Sequence, residues 1–178
     1  RHTSHYRTDF LLLAEQLYYG GDNKRASKAL DRSLKLMPIE TVIDFGEITG
    51  NDPITSLDFN RVRNNNYSPR MSGCLYEYVQ LYALLGETNK ATDLGKKLLK
   101  IYGSVFSFFE NSDALIAIEP GTMNSNRDDL FAAADACFKM QKAAQGMEFE
   151  KEVTSLLNNL FGKILPEIEN ELSTLGLS

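Results

Sequence analysis

Tryptophan is absent from this sequence, and cysteine and histidine occur only twice each. Cys74 and Cys137 are too few to build a zinc site by themselves. Both fall in predicted helices among apolar neighbours, which favours buried free thiols. A disulfide between them requires an oxidising compartment. His2 and His5 lie in a polar start with no third ligand near them, so no metal site is expected. No apolar run approaches the roughly 18 residues that a membrane span requires, and no signal peptide is evident. Gly20-Gly21 lacks the surroundings of a phosphate loop, so no cofactor is expected. The net charge of −5 argues against nucleic acid as a partner. The acids at Asp128-Asp129 and at Glu148, Glu150 and Glu152 fit helix starts and solvated faces better than a catalytic pair. No enzymatic role is expected for this stretch of chain. Its first residue, Arg1, gives it the look of the middle of a longer protein.

Hydrophobic residues make up 43% of the chain, enough for one helical domain with a real core. The charge is unevenly spread. Residues 1–36 hold seven basic side chains against four acidic ones, and from Glu119 onward ten acidic residues face five basic ones. Head-to-tail contact between copies would suit that polarity.

The clearest pattern spans residues 10–38. Phe10, Leu13, Ala14 and Leu17 recur at helical spacing from about Thr8 to Tyr19. Gly20-Gly21 stops that helix, and Asp22 or Asn23 can cap the next one, which runs to Met37. Ala26, Ala29, Leu30, Leu34 and Met37 form its inner stripe, and Pro38 ends it. Ala14 and Ala26 are small where the two helices must approach closely. A matching pair covers 73–103. At an offset of 65 residues Gly21 meets Gly86, Ala26 meets Ala91, Leu17 meets Tyr82 and Leu13 meets Tyr78. Leu30 against Gly95 and Pro38 against Gly103 agree less well.

Between the pairs, residues 39–72 are irregular and rich in turn formers, including Gly46, Gly50, Pro53, Asn64–Asn66 and Pro69. Short elements are predicted over Glu40–Ile48 and Ile54–Val62. Residues 104–118 are strongly apolar and either begin a helix or lie extended. Two long helices are predicted within 125–175, about Asn126–Gln145 and Glu148–Leu165, with a reversal at Gly146 and a kink or fresh turn at Pro166. Residues 1–7 read as a frayed end or a linker.

This spacing is that of tetratricopeptide-type repeats. The predicted fold is all-α: antiparallel helix pairs in an α-α superhelix, with an irregular insertion and a C-terminal pair of long helices. In such arrays the first helix of each pair lines the concave face. The residues expected there are Glu15, Tyr18 and Tyr19 from the first pair, with Tyr76, Gln80 and Leu84 from the second. Tyrosine suits such a surface because a rigid ring buries area while its hydroxyl keeps a polar partner. The same tyrosines would be covered if residues 39–72 or 104–118 filled the groove.

The core Ala26-Ser27-Lys28-Ala29-Leu30-Asp31-Arg32-Ser33-Leu34 with Met37-Pro38, and the second-pair run Leu81–Ala91, resemble the C-terminal region of large Bacteroidota membrane proteins. That family has a multi-spanning N-terminal part similar to protein O-mannosyltransferases. The resemblance covers about residues 7–110. It implies a periplasmic, non-catalytic tail that binds a protein or peptide, or the rest of its own chain, while glycosyl transfer sits elsewhere. The alternatives are a purely structural tail, a small-ligand or glycan-binding domain using Asn64–Asn66, and an unrecognised hydrolase.

Overall fold

The computed structural model describes residues 3–39, 75–110, 134 and 136–174, and every regular element among them is helical. Helices α1 (Thr3–Tyr19) and α2 (Asn23–Leu36) form one antiparallel pair, and α3 (Leu75–Leu84) and α4 (Thr88–Phe109) a second. A third comprises α5 (136–143) and a long helix made of α6 (Glu150–Asn159), a π turn at Leu160–Ile164 and α7 (Leu165–Thr174). The generic helical-repeat architecture is therefore present. The predicted elements at 40–72, the capping residues near Ser125, Cys74 and His2 lie outside the described residues.

The turns come from one piece of local chemistry. Gly21 and Gly86 take φ of +82° and +76°, a left-handed conformation costly for any residue with a Cβ. The Gly21 amide donates to the Tyr18 carbonyl, and the Asp22 amide donates to that of Leu17. In the second pair Gly86 donates to Ala83 and Glu87 to Tyr82, the same Schellman closure 65 residues on. Gly146, with φ of +76°, serves the third reversal. Asp22 caps α2 by accepting from the Arg25 amide.

The second helix of each pair keeps a common register. Counted from the cap residues Asp22, Glu87 and Phe149, the fourth positions are Ala26, Ala91 and Val153, all fully buried. The eighth are Leu30, Gly95 and Leu157, and the eleventh Ser33, Leu98 and Leu160, again buried. Residues 136–174 thus behave as a third pair stacked on α4.

Four expectations need correcting. First, α1 begins at Thr3, not near Thr8, because Arg7 is fully buried and its guanidinium donates to the Met37 carbonyl at 2.6 Å. Second, its inward stripe runs through Arg7, Leu11 and Ala14, and Leu13 is left 46% exposed. Third, Gly103 does not end α4, which continues to Phe109 with Tyr102 and Phe106 in the core. Fourth, the last helix does not stop near Leu165. Proline cannot donate to the preceding turn, and the π turn just before Pro166, where the Leu165 amide reaches back to Leu160, absorbs that misfit.

Candidate functional site

The helix α3 lies at the centre of the array and is apolar on nearly every side, as a helix packed on several neighbours must be. Its expected groove residues separate accordingly. Tyr76 is buried, with Lys139 of α5 placed 5.9 Å from its ring centroid. It therefore lies at the α3–α5 seam and not on an open surface. Gln80 is half-buried, and Leu84 is exposed at the end of α3. On α1, Glu15 and Tyr18 are half-buried and Tyr19 is 72% exposed. The Tyr18 and Tyr19 rings sit 5.4 Å apart at 58°, a tilted aromatic pair. Five of the six residues thus reach solvent on α1 and α3, the first helices of two adjacent pairs that touch each other.

A second polar constellation, not foreseen from sequence, joins the first two pairs. The Tyr82 hydroxyl donates to Asp31 Oδ1 at 2.9 Å, and Lys90 Nζ donates to Asp31 Oδ2 at 2.7 Å. Lys90 also reaches Ser27 Oγ at 2.9 Å, while the Ser27 hydroxyl donates to Glu87. The ammonium stands 5.6 Å from the centre of the Tyr82 ring. Burial, then the bond to Asp31, holds the Tyr82 phenol well above its ordinary range. Deeper in, the Tyr78 hydroxyl donates to the Arg7 carbonyl at 2.8 Å and lies 2.8 Å from Ser33 Oγ, whose hydroxyl donates in return. The signal that could have found this network was the 65-residue offset itself. It sets Tyr78 and Tyr82 opposite Leu13 and Leu17, two added phenol hydroxyls that need partners once buried, without specifying which pair supplies them.

Beside Tyr82 a cavity of about 350 Å³ opens, with Leu34, Ile39 and Leu94 as its apolar part and Asp31, Lys90, Asp93 and Lys97 around them. Both oxygens of Asp31 are engaged by Tyr82 and Lys90, so this carboxylate is arranged to hold helices together. Burial pushes the Cys137 thiol up to about 12, which keeps it protonated and a poor nucleophile at neutral pH. Among the described residues no group of three or more His, Cys, Asp or Glu side chains is placed to hold a metal ion. No helix among them is long and apolar enough to cross a membrane.

Compared with known proteins, the chain matches no protein-family model, no curated protein and no solved structure.

Proposed function

We propose that this domain is a non-catalytic helical-repeat module that binds an extended peptide or protein segment on the face shared by α1 and α3. The observation that carries the reading is the Tyr18–Tyr19 pair, two adjacent rings presented at the end of α1 with Tyr19 largely in solvent. Glu15, Gln80 and Leu84 supply polar and apolar contacts along the same two helices. A tyrosine ring offers contact area at small entropic cost, which is why such residues dominate interface energies. The resemblance to the Bacteroidota membrane proteins adds a setting: a periplasmic tail that positions a partner for a glycosyltransferase-like membrane part of the same protein.

A selection of unstructured peptides displayed against the isolated chain tests this. Peptides enriched on the wild type should lose at least tenfold in affinity for a Tyr18→Ala/Tyr19→Ala variant whose thermal midpoint is unchanged. Failure to enrich any peptide, or binding indifferent to both tyrosines, would sink the reading. It would favour a structural tail.

A further inference from the structure

The groove between α4 and the long helix of the third pair contains a cavity of about 650 Å³, within the roughly 300–1,000 Å³ of small-molecule sites. It is formed by the second helices of adjacent pairs, whereas Tyr18 and Tyr19 belong to a first helix. Its floor is apolar: Phe106 and Ile164 are buried, and Leu156 is half-buried. Gly103 makes the room. It is not among the glycines with positive φ, and a Cβ built on it would meet only Leu156 Cδ1, at 4.0 Å. Neither backbone nor packing calls for glycine there, and a glycine inside a helix costs stability relative to alanine. What its missing side chain provides is open space in the cavity wall.

The polar side chains on the rim have no work inside the fold. Lys90 and Lys96, on the same helix, are tied to Asp31 and Glu148. Lys100 has no ion pair, and neither the Ser107 hydroxyl nor the Asn159 carboxamide has a hydrogen-bond partner among the described residues. No acidic side chain among the described residues lines the cavity, so its charge favours an anion. The order of the groups adds a length. Lys100 and Ser107 are seven residues apart on one face of α4, about 10 Å along its axis. Between them lies Gly103, with Leu156 facing it. Seven residues past that contact on both helices, Lys163 bonds Glu110 at 2.6 Å. The two helices therefore run parallel, and Asn159, one turn after Leu156, falls toward the Ser107 end.

We infer that this cavity binds a small hydroxylated carboxylic acid. Its carboxylate meets the Lys100 ammonium, its apolar body lies over Phe106, Leu156 and Ile164, and its hydroxyl falls between Ser107 and Asn159. An ammonium only donates and so matches an anion, whereas a serine hydroxyl and a carboxamide both donate and accept and so match a hydroxyl. The site is separate from the proposed peptide face and stands without it.

The test is a titration of the whole chain with 3-(4-hydroxyphenyl)propanoate, whose carboxylate and hydroxyl sit at opposite ends of an apolar body, followed by amide chemical shifts. Saturable shifts should centre on Gly103, Ser107 and Asn159. Lys100→Gln should weaken binding about tenfold, and so should replacing the acid by its neutral amide. 3-Phenylpropanoate, which lacks the hydroxyl, should bind about threefold to tenfold more weakly. Gly103→Leu fills the cavity and should abolish binding while the thermal midpoint holds or rises. Lys100→Gln, a change at an exposed position, carries the test if that variant fails to fold. Absence of saturable shifts up to about 20 mM ligand overturns the inference. So does binding by Gly103→Leu, by the amide or by 3-phenylpropanoate as tight as that of the wild type for the hydroxy acid, or a set of shifts centred on Tyr18 and Tyr19.

Discussion

The seam between the first and second pairs and the seam between the second and third use the same positions for different chemistry. In the first seam the contact is polar. Asp31, Lys90, Tyr82, Ser27 and Glu87 share bonds, and Tyr78 is bonded to Arg7 and Ser33 beneath them. In the second seam the contact is steric. The ring of Phe149, fully buried, rests on Gly95, so that a Cβ built there would come within 2.4 Å of the ring. An ion pair crosses this seam as well, with a different partner position. The position of Asp31 is taken by Lys96, which bonds Glu148 of the third pair at 2.6 Å. Repeat geometry thus fixes where neighbours touch, while the residues placed there decide whether the seam is held by bonds or by shape.

The steric seam gives the largest expected effect. In an open helix, Gly→Ala stabilises by about 1 kcal/mol. At Gly95 the sign should reverse, because the added methyl meets three carbons of a ring that is itself enclosed. A loss of about 2 kcal/mol is expected for Gly95→Ala in urea unfolding. A gain would show that the ring yields and the seam is loose.

Next comes the buried part of the polar seam. Tyr78→Phe removes the hydroxyl that serves both Arg7 and Ser33, leaving the buried Ser33 hydroxyl without that bond. About 1–2 kcal/mol should be lost by the same measurement. A smaller loss for Tyr78→Phe than for its surface neighbour Lys90 would mean that the exposed bonds dominate the seam.

The smallest effect separates the two ion pairs. Lys90 has three partners and sits beside an aromatic ring, so Lys90→Ala should cost about 0.5–1 kcal/mol. Lys96→Ala removes a single bond to an exposed glutamate and should leave the urea midpoint unchanged. Equal losses for the two would mean that the polar seam owes nothing to its shared bonds.

Much of the fold was legible because its signals were local. Gly21, Gly86 and Gly146 mark the reversals, since only glycine enters the left-handed region cheaply, and all three have positive φ. Ala26 and Ala91 mark the close approaches, and both are fully buried. What escaped reading depends on partners distant in sequence. Arg7 belongs to a polar run that resembles a linker, and partners distant in sequence, Met37 thirty residues on and Tyr78 beyond it, make it part of the core. Leu13 fits an apolar stripe, yet the direction of the neighbouring pair, which periodicity does not specify, turns that stripe toward Leu11. Gly95 looked like a weak match to Leu30 because nothing nearby reveals the ring of Phe149. For the candidate groove, helical spacing chose the face on α1 and α3. The position of α5, whose Lys139 stands beside the buried Tyr76, is not readable from either helix.

The notch at Gly95 also fixes registration. Along α4 the residues one turn away on the same ridge are Ala91 and Leu99, at i−4 and i+4. Sliding the third pair by four residues, about 6 Å, would set the Phe149 ring over a side chain in either direction. A missing methyl group therefore acts as an alignment mark: it tells an arriving helix pair where along its neighbour to stop, a choice that hydrophobic stripes alone leave open.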